Sequence, residues 1–172
     1  AAHPTQNVLE FGTGGTLTVT AAGSSLGAGY KGQGSLTISE GSAVSSYSGI
    51  LGSISGSTGT ATITGSGTKW SIGNNLNVGS SGSGALRVET NAEVRNKVGY
   101  VGYNSGSTGT ATITGAGSKW LSTAELYIGS AGHGTLRVEE GGLVTNTYGY
   151  LGHDPDSTGT ATITGAGSMW TS

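Results

Sequence analysis

Three fifteen-residue segments of this chain are nearly the same: GSTGTATITGSGTKW at 56–70, GSTGTATITGAGSKW at 106–120 and DSTGTATITGAGSMW at 156–170. Trp70, Trp120 and Trp170 therefore stand fifty residues apart with no slippage. A fixed period of this length is the mark of a solenoid, in which like units stack on like units and bury a continuous core.

Each fifty-residue unit divides into two unequal halves. One half reads LNVGSSGSGALRVETNAEVRN at 76–96 and LYIGSAGHGTLRVEEGGLVTN at 126–146, with a diverged copy, LGAGYKGQGSLTISEGSAVSS, at 26–46. The other begins at Val101-Gly102 or Leu151-Gly152 and runs through TATITG to the tryptophan. Steps between equivalent apolar residues are 23 from Val78 to Val101, 27 from Val101 to Ile128 and 23 again to Leu151. Each half matches one turn of a parallel β-helix, which uses somewhat over about twenty residues for three short strands.

Alternation favours strands over helices. In Ala111-Thr112-Ile113-Thr114 the apolar residues share one face and the threonines the other, and Leu86-Arg87-Val88-Glu89 keeps the same phase. Coils stacked about 4.8 Å apart place Ile38, Ile63, Val88, Ile113, Val138 and Ile163 in one column. Leu36, Ala61, Leu86, Ala111, Leu136 and Ala161 form the next. The reading is an all-β, right-handed parallel β-helix of about seven coils, two per fifty-residue repeat. The right hand follows from the handedness of parallel crossovers. Phe11 to Val19 is read as a shortened coil at the base. The whole of 1–172 forms one solenoid piece of a longer array, with units near 1–25 (partial), 26–75, 76–125 and 126–172.

Composition removes several classes of function. The 35 glycines among 172 residues could belong to a flexible linker, but a linker needs no phased Leu, Ile and Val. The seven Lys and Arg are scattered and the net charge is −2, so no basic stripe is available for nucleic acid. There is no cysteine, and stability must come from packing and hydrogen bonds. No apolar run is long enough for a membrane-spanning helix.

GSTGTATITGAGSKW, preceded by the LxVG…GxLxV half, resembles the repeat shared by type V autotransporter passengers and PEP-CTERM-associated bacterial proteins. The resemblance extends from about Gly29 onward. It implies a right-handed parallel β-helix within a large Gram-negative surface or secreted protein similar to AIDA-like adhesins. It carries no catalytic residues to transfer.

Among single residues, Trp70, Trp120 and Trp170 are read as structural, covering the core with Val44, Val94 and Val144 in the same column. Tyr100, Tyr103, Tyr148 and Tyr150 form the best candidate for a partner-binding patch, with His153 in register with Tyr103. Tyrosine supplies large contact area at small entropic cost. Arg87 and Arg137, beside Glu89 and Glu139, are expected to form surface charge pairs worth under about 1 kcal/mol. His133 is read as a solvated loop residue. His153-Asp154-Pro155-Asp156 is the sole local cluster of metal-ligand types, and Asp and Pro there serve equally as turn formers. No cofactor or metal is expected.

An enzyme is disfavoured. Polysaccharide-active β-helices need convergent carboxylates, and this chain has two Asp in one turn and seven Glu spread over different coils. Two alternatives stand beside the favoured reading: the substrate-binding part of a polysaccharide-active β-helix enzyme, and a threonine array for ice binding, in which Thr60, Thr62 and Thr64 recur at 110–114 and 160–164, with Thr16, Thr18 and Thr20 similar. The Arg-Val-Glu rows between them interrupt that lattice. The favoured expectation is a rod-like surface segment acting as adhesin or adhesin stalk in attachment, self-association or biofilm. Its expected partner is a host glycan, a host protein or a like passenger on another cell.

Overall fold

The computed structural model describes residues 24–172, together with the backbone of the strands at 9–11 and 16–19. Twenty strands follow one another with no helix among the described residues. The first coil holds β1 (Leu9–Phe11), β2 (Thr16–Val19) and β3 (Ser25–Ala28). The second holds β4 (Gln33–Ile38), β5 (Ala43–Ser46) and β6 (Ser48–Leu51). The third holds β7 (Thr58–Thr64), β8 (Lys69–Ile72) and β9 (Asn75–Val78). The fourth holds β10 (Ser83–Glu89), β11 (Glu93–Asn96) and β12 (Val98–Val101). The fifth holds β13 (Thr108–Thr114), β14 (Lys119–Ser122) and β15 (Glu125–Ile128). The sixth holds β16 (His133–Glu139), β17 (Leu143–Thr145) and β18 (Tyr148–Leu151). β19 (Thr158–Thr164) and β20 (Met169–Thr171) then begin a seventh.

Every third strand pairs in parallel, giving two seven-stranded sheets and one six-stranded sheet wound as a right-handed β-helix. The described residues thus make six complete coils and two strands of another, slightly fewer than the seven expected. The base also differs from expectation. Phe11 to Val19 is not one coil: Leu9–Phe11 pairs with β4 in the first sheet, and Thr16–Val19 pairs with β5 in the second. A second-sheet strand cannot extend the threonine rows of the first sheet, so Thr16 and Thr18 do not belong with Thr60 and Thr62. Thr20 lies outside the described residues.

The expected columns are present. Leu86 faces Ala61 and Ala111, and Val88 faces Ile63 and Ile113, in an unbroken register. Ile38, Ile63, Val88, Ile113 and Val138 are wholly buried. Ile163 is 42% exposed, because no further coil covers its upper side.

The second and third sheets explain why the period is fifty residues and not twenty-five. Val94 lies between Trp70 and Trp120 in register, so large and small side chains alternate up the second sheet. Both of these indoles are completely buried. Each leans toward the preceding coil, where the third sheet carries a glycine. A Cβ on Gly99 would stand 2.9 Å from Trp120 Cζ2 and 2.8 Å from Leu126 Cδ1. Gly49 meets Trp70 in the same way, and Gly149 meets Trp170. Every indole N–H finds an acceptor one coil back: Trp70 Nε1 donates to Ser46 Oγ at 3.1 Å and Trp120 Nε1 to Asn96 Oδ1 at 2.6 Å. A coil that supplies a tryptophan therefore requires a neighbour that supplies a glycine and a polar acceptor. Two coils make one interlocked unit.

The corner from the third sheet back to the first is drawn tight by backbone contacts. Gly102 has φ of 77°, a conformation that side-chain-bearing residues avoid. Directly across the corner, a Cβ on Gly109 would overlap the carbonyl oxygen of Val78 and the amide of Gly102. The corner after the first sheet instead holds Thr90 at φ of 55° and Asn91 at 62°. Ser118 Oγ accepts the Asn91 N–H at 3.1 Å and fixes that turn to the coil above.

Candidate functional site: a tyrosine ladder on the third sheet

In β12, β15 and β18 the inward residues are apolar or glycine, and the residues between them face outward. Register places Tyr100 opposite Tyr127 and Tyr127 opposite Tyr150, so three phenol rings rise one per coil. The ring centroids are 5.1 Å apart with planes within 7°, then 4.8 Å apart within 14°. The separations match the strand spacing itself. The faces of Tyr127 are therefore covered by its neighbours, and the stack turns its ring edges and hydroxyl groups to one side of the rod.

Two further rings brace the stack from the position three residues along. Tyr103 packs on Tyr100 at 4.5 Å with planes tilted by 58°. His153 meets Tyr127 and Tyr150 edge-on, at 5.1 and 5.4 Å. Its Nδ1 lies 2.8 Å from Asp154 Oδ1, so the imidazole is held from both sides. Such ring contacts add about 0.5–1.5 kcal/mol each beyond area burial, and the cluster is a rigid surface feature.

The pattern of ionisation agrees with the packing. Burial raises the Tyr100 phenol above its ordinary range, with the neighbouring Tyr103, Tyr127 and Glu125 adding to the effect. Burial likewise raises Tyr127, followed by Glu125 and Tyr150. Both phenols remain neutral hydrogen-bond donors under ordinary conditions.

Of the four tyrosines singled out in the sequence, the structure brings together Tyr100, Tyr103 and Tyr150. Tyr148 stands apart: it is 59% exposed, in register with Glu125, and makes no ring contact among the described residues. Tyr127, the central rung, was not expected. The signal was present, since the 27- and 23-residue steps of the apolar column apply equally to residues one position earlier.

The other candidates are dispersed over the rod. Arg87 and Arg137 lie on the first sheet, with Nε 2.5 Å from Glu89 and 2.7 Å from Glu139 respectively. His133 is not a loop residue but the first residue of β16, with Nδ1 2.7 Å from Thr158 Oγ1. Among the described residues no three His, Cys, Asp or Glu side chains converge. A polar hollow of about 360 Å³ at the corner of the first and second sheets includes Arg87, Asn91 and Glu140. A second hollow, about 370 Å³, lies beside Tyr30 and Ile50, on the third-sheet side toward the N-terminus.

Compared with protein-family models, curated proteins and solved structures, the chain matches none.

Proposed function

We propose that this chain is a rod segment of a bacterial surface passenger that acts as an adhesin or adhesin stalk, with the tyrosine ladder as its lateral contact. The observation that carries the reading is the Tyr100–Tyr127–Tyr150 stack, braced by Tyr103 and His153 on an otherwise regular scaffold. Aromatic side chains locked before contact lose little entropy on binding, which is what a recognition surface needs. The sequence resemblance to autotransporter and PEP-CTERM-associated repeats supports export to a cell surface. The scaffold suits such a role because each added coil buries its apolar face on the last and extends reach.

The test is adhesion of protein-coated beads to host cells and to arrays of glycans and matrix proteins. The reading expects saturable attachment that falls when Tyr100, Tyr127 and Tyr150 are replaced together by Ala. Undiminished attachment by a correctly folded triple variant removes the ladder from the function. Absence of attachment in the parent rod leaves it a spacer.

A further inference from the structure

The ladder has a chemistry of its own that does not rest on the adhesin reading. Its rings are used up face to face, so no ligand can stack between them. Their outer ring edges, tipped by the phenol hydroxyls, instead form an aromatic rib parallel to the rod axis over three coils. Residues two positions apart along a strand stand about 7 Å apart, and the side chains of Glu125 and Tyr148 make a second row beside the rib. The two rows run side by side, parallel to the axis.

Charge selects what fits there. Positions 98, 100, 103, 125, 127, 130, 148, 150 and 153 include no Lys or Arg. The closest cation in sequence is Lys97, at the corner before Val98. Glu125 lies close enough to Tyr100 and Tyr127 for its charge to oppose their ionisation. Asp154 adds a second carboxylate at the upper end, against His153. Shape selects further: a straight, rigid rib gives most contact to a straight, rigid ligand, which also has least conformational freedom to lose.

We propose that the strip between the Tyr100–Tyr127–Tyr150 ladder and the Glu125–Tyr148 row is a binding site for an elongated, planar aromatic cation lying parallel to the rod axis. The flat face of the ligand covers the ring edges of three successive coils, and Glu125 balances its charge. The site needs three rungs, so the central one, Tyr127, matters most.

Thioflavin T, an elongated cationic dye whose emission rises when its two ring systems are held coplanar, is the probe. Titration into the intact chain is expected to give saturable fluorescence with one dye per rod. Tyr127→Ala should weaken binding about tenfold or more, equivalent to at least about 1.4 kcal/mol. Tyr127→Leu, which keeps apolar bulk but removes the ring, should weaken it as well. Tyr127 points outward, and an unchanged circular dichroism spectrum and melting curve confirm the fold of each variant. Glu125→Gln should weaken thioflavin T severalfold and leave an uncharged benzothiazole analogue unaffected. Thr110→Ala, on the first sheet, should change nothing. Non-saturable binding, or equal affinity in the parent and both Tyr127 variants, overturns the site. Equal affinity of parent and Glu125→Gln for the cationic dye overturns the charge assignment.

Discussion

The coupling between Trp120 and Gly99 makes the sharpest prediction. Trp120 is completely buried and its indole donates to Asn96, which is itself buried. Trp120→Ala opens a large void and removes the closer donor to Asn96 Oδ1, leaving Ser122 Oγ at 3.4 Å, with an expected cost of about 3–5 kcal/mol. Gly99→Ala errs in the opposite direction. The added methyl stands 2.8 Å from Leu126 Cδ1, 2.9 Å from Trp120 Cζ2 and 3.1 Å from Ser122 Oγ. Overpacking of this kind costs about 1–3 kcal/mol. If the two residues share one space, the errors offset each other: the methyl enters the void, and the double variant should be more stable than the sum of the singles by about 1–2 kcal/mol. Urea unfolding of the parent, both singles and the double completes the cycle, with midpoints compared at a common slope. Additivity within about 0.5 kcal/mol would refute the claim that glycine and tryptophan are matched across coils.

The remaining predictions concern the corner, the phenols and the charge pairs. Gly109→Ala should cost more than Gly99→Ala, about 3 kcal/mol or above, because its methyl meets backbone that cannot rotate away; the same urea assay ranks them. Tyr100 and Tyr127 should ionise above the free-tyrosine value of about 10 in an ultraviolet titration. Their folded-state pKa values are raised, so the linked stability is fully present below about pH 10 and is lost as pH rises through the folded values. Melting temperature should fall over that interval, less steeply in Tyr127→Phe. Arg87→Ala breaks an ion pair whose arginine side chain is 51% exposed; its cost should stay under about 1 kcal/mol and shrink in salt.

Much of the fold was legible because stacking repeats the same demand in every coil. Ile38 through Ile163 recur at fixed steps, and alternation within TATITG assigns their inward phase without reference to contacts. The pairing of Trp120 with Gly99 was not legible, since a glycine in such a glycine-rich chain reads as a turn signal. Only the neighbouring coil shows that its missing side chain is filled by an indole. The base was misread because Thr16–Val19 has the same alternation in the second sheet as Thr60–Thr64 has in the first. Alternation tells the face of a strand but not which sheet owns it. The tyrosine site was half legible. Tyr100 with Tyr103, and Tyr148 with Tyr150, drew notice by closeness in sequence, whereas in a solenoid neighbours are one coil away. That rule selects Tyr127 and leaves Tyr148 beside the stack.

Vertical registry of the coils can be read in solution from methyl nuclear Overhauser contacts. An unbroken chain of cross-peaks is expected to link Ile63 to Val88, Val88 to Ile113 and Ile113 to Val138, each across twenty-five residues. Absence of those links, with cross-peaks instead between strands adjacent in sequence as in antiparallel hairpins, would contradict it.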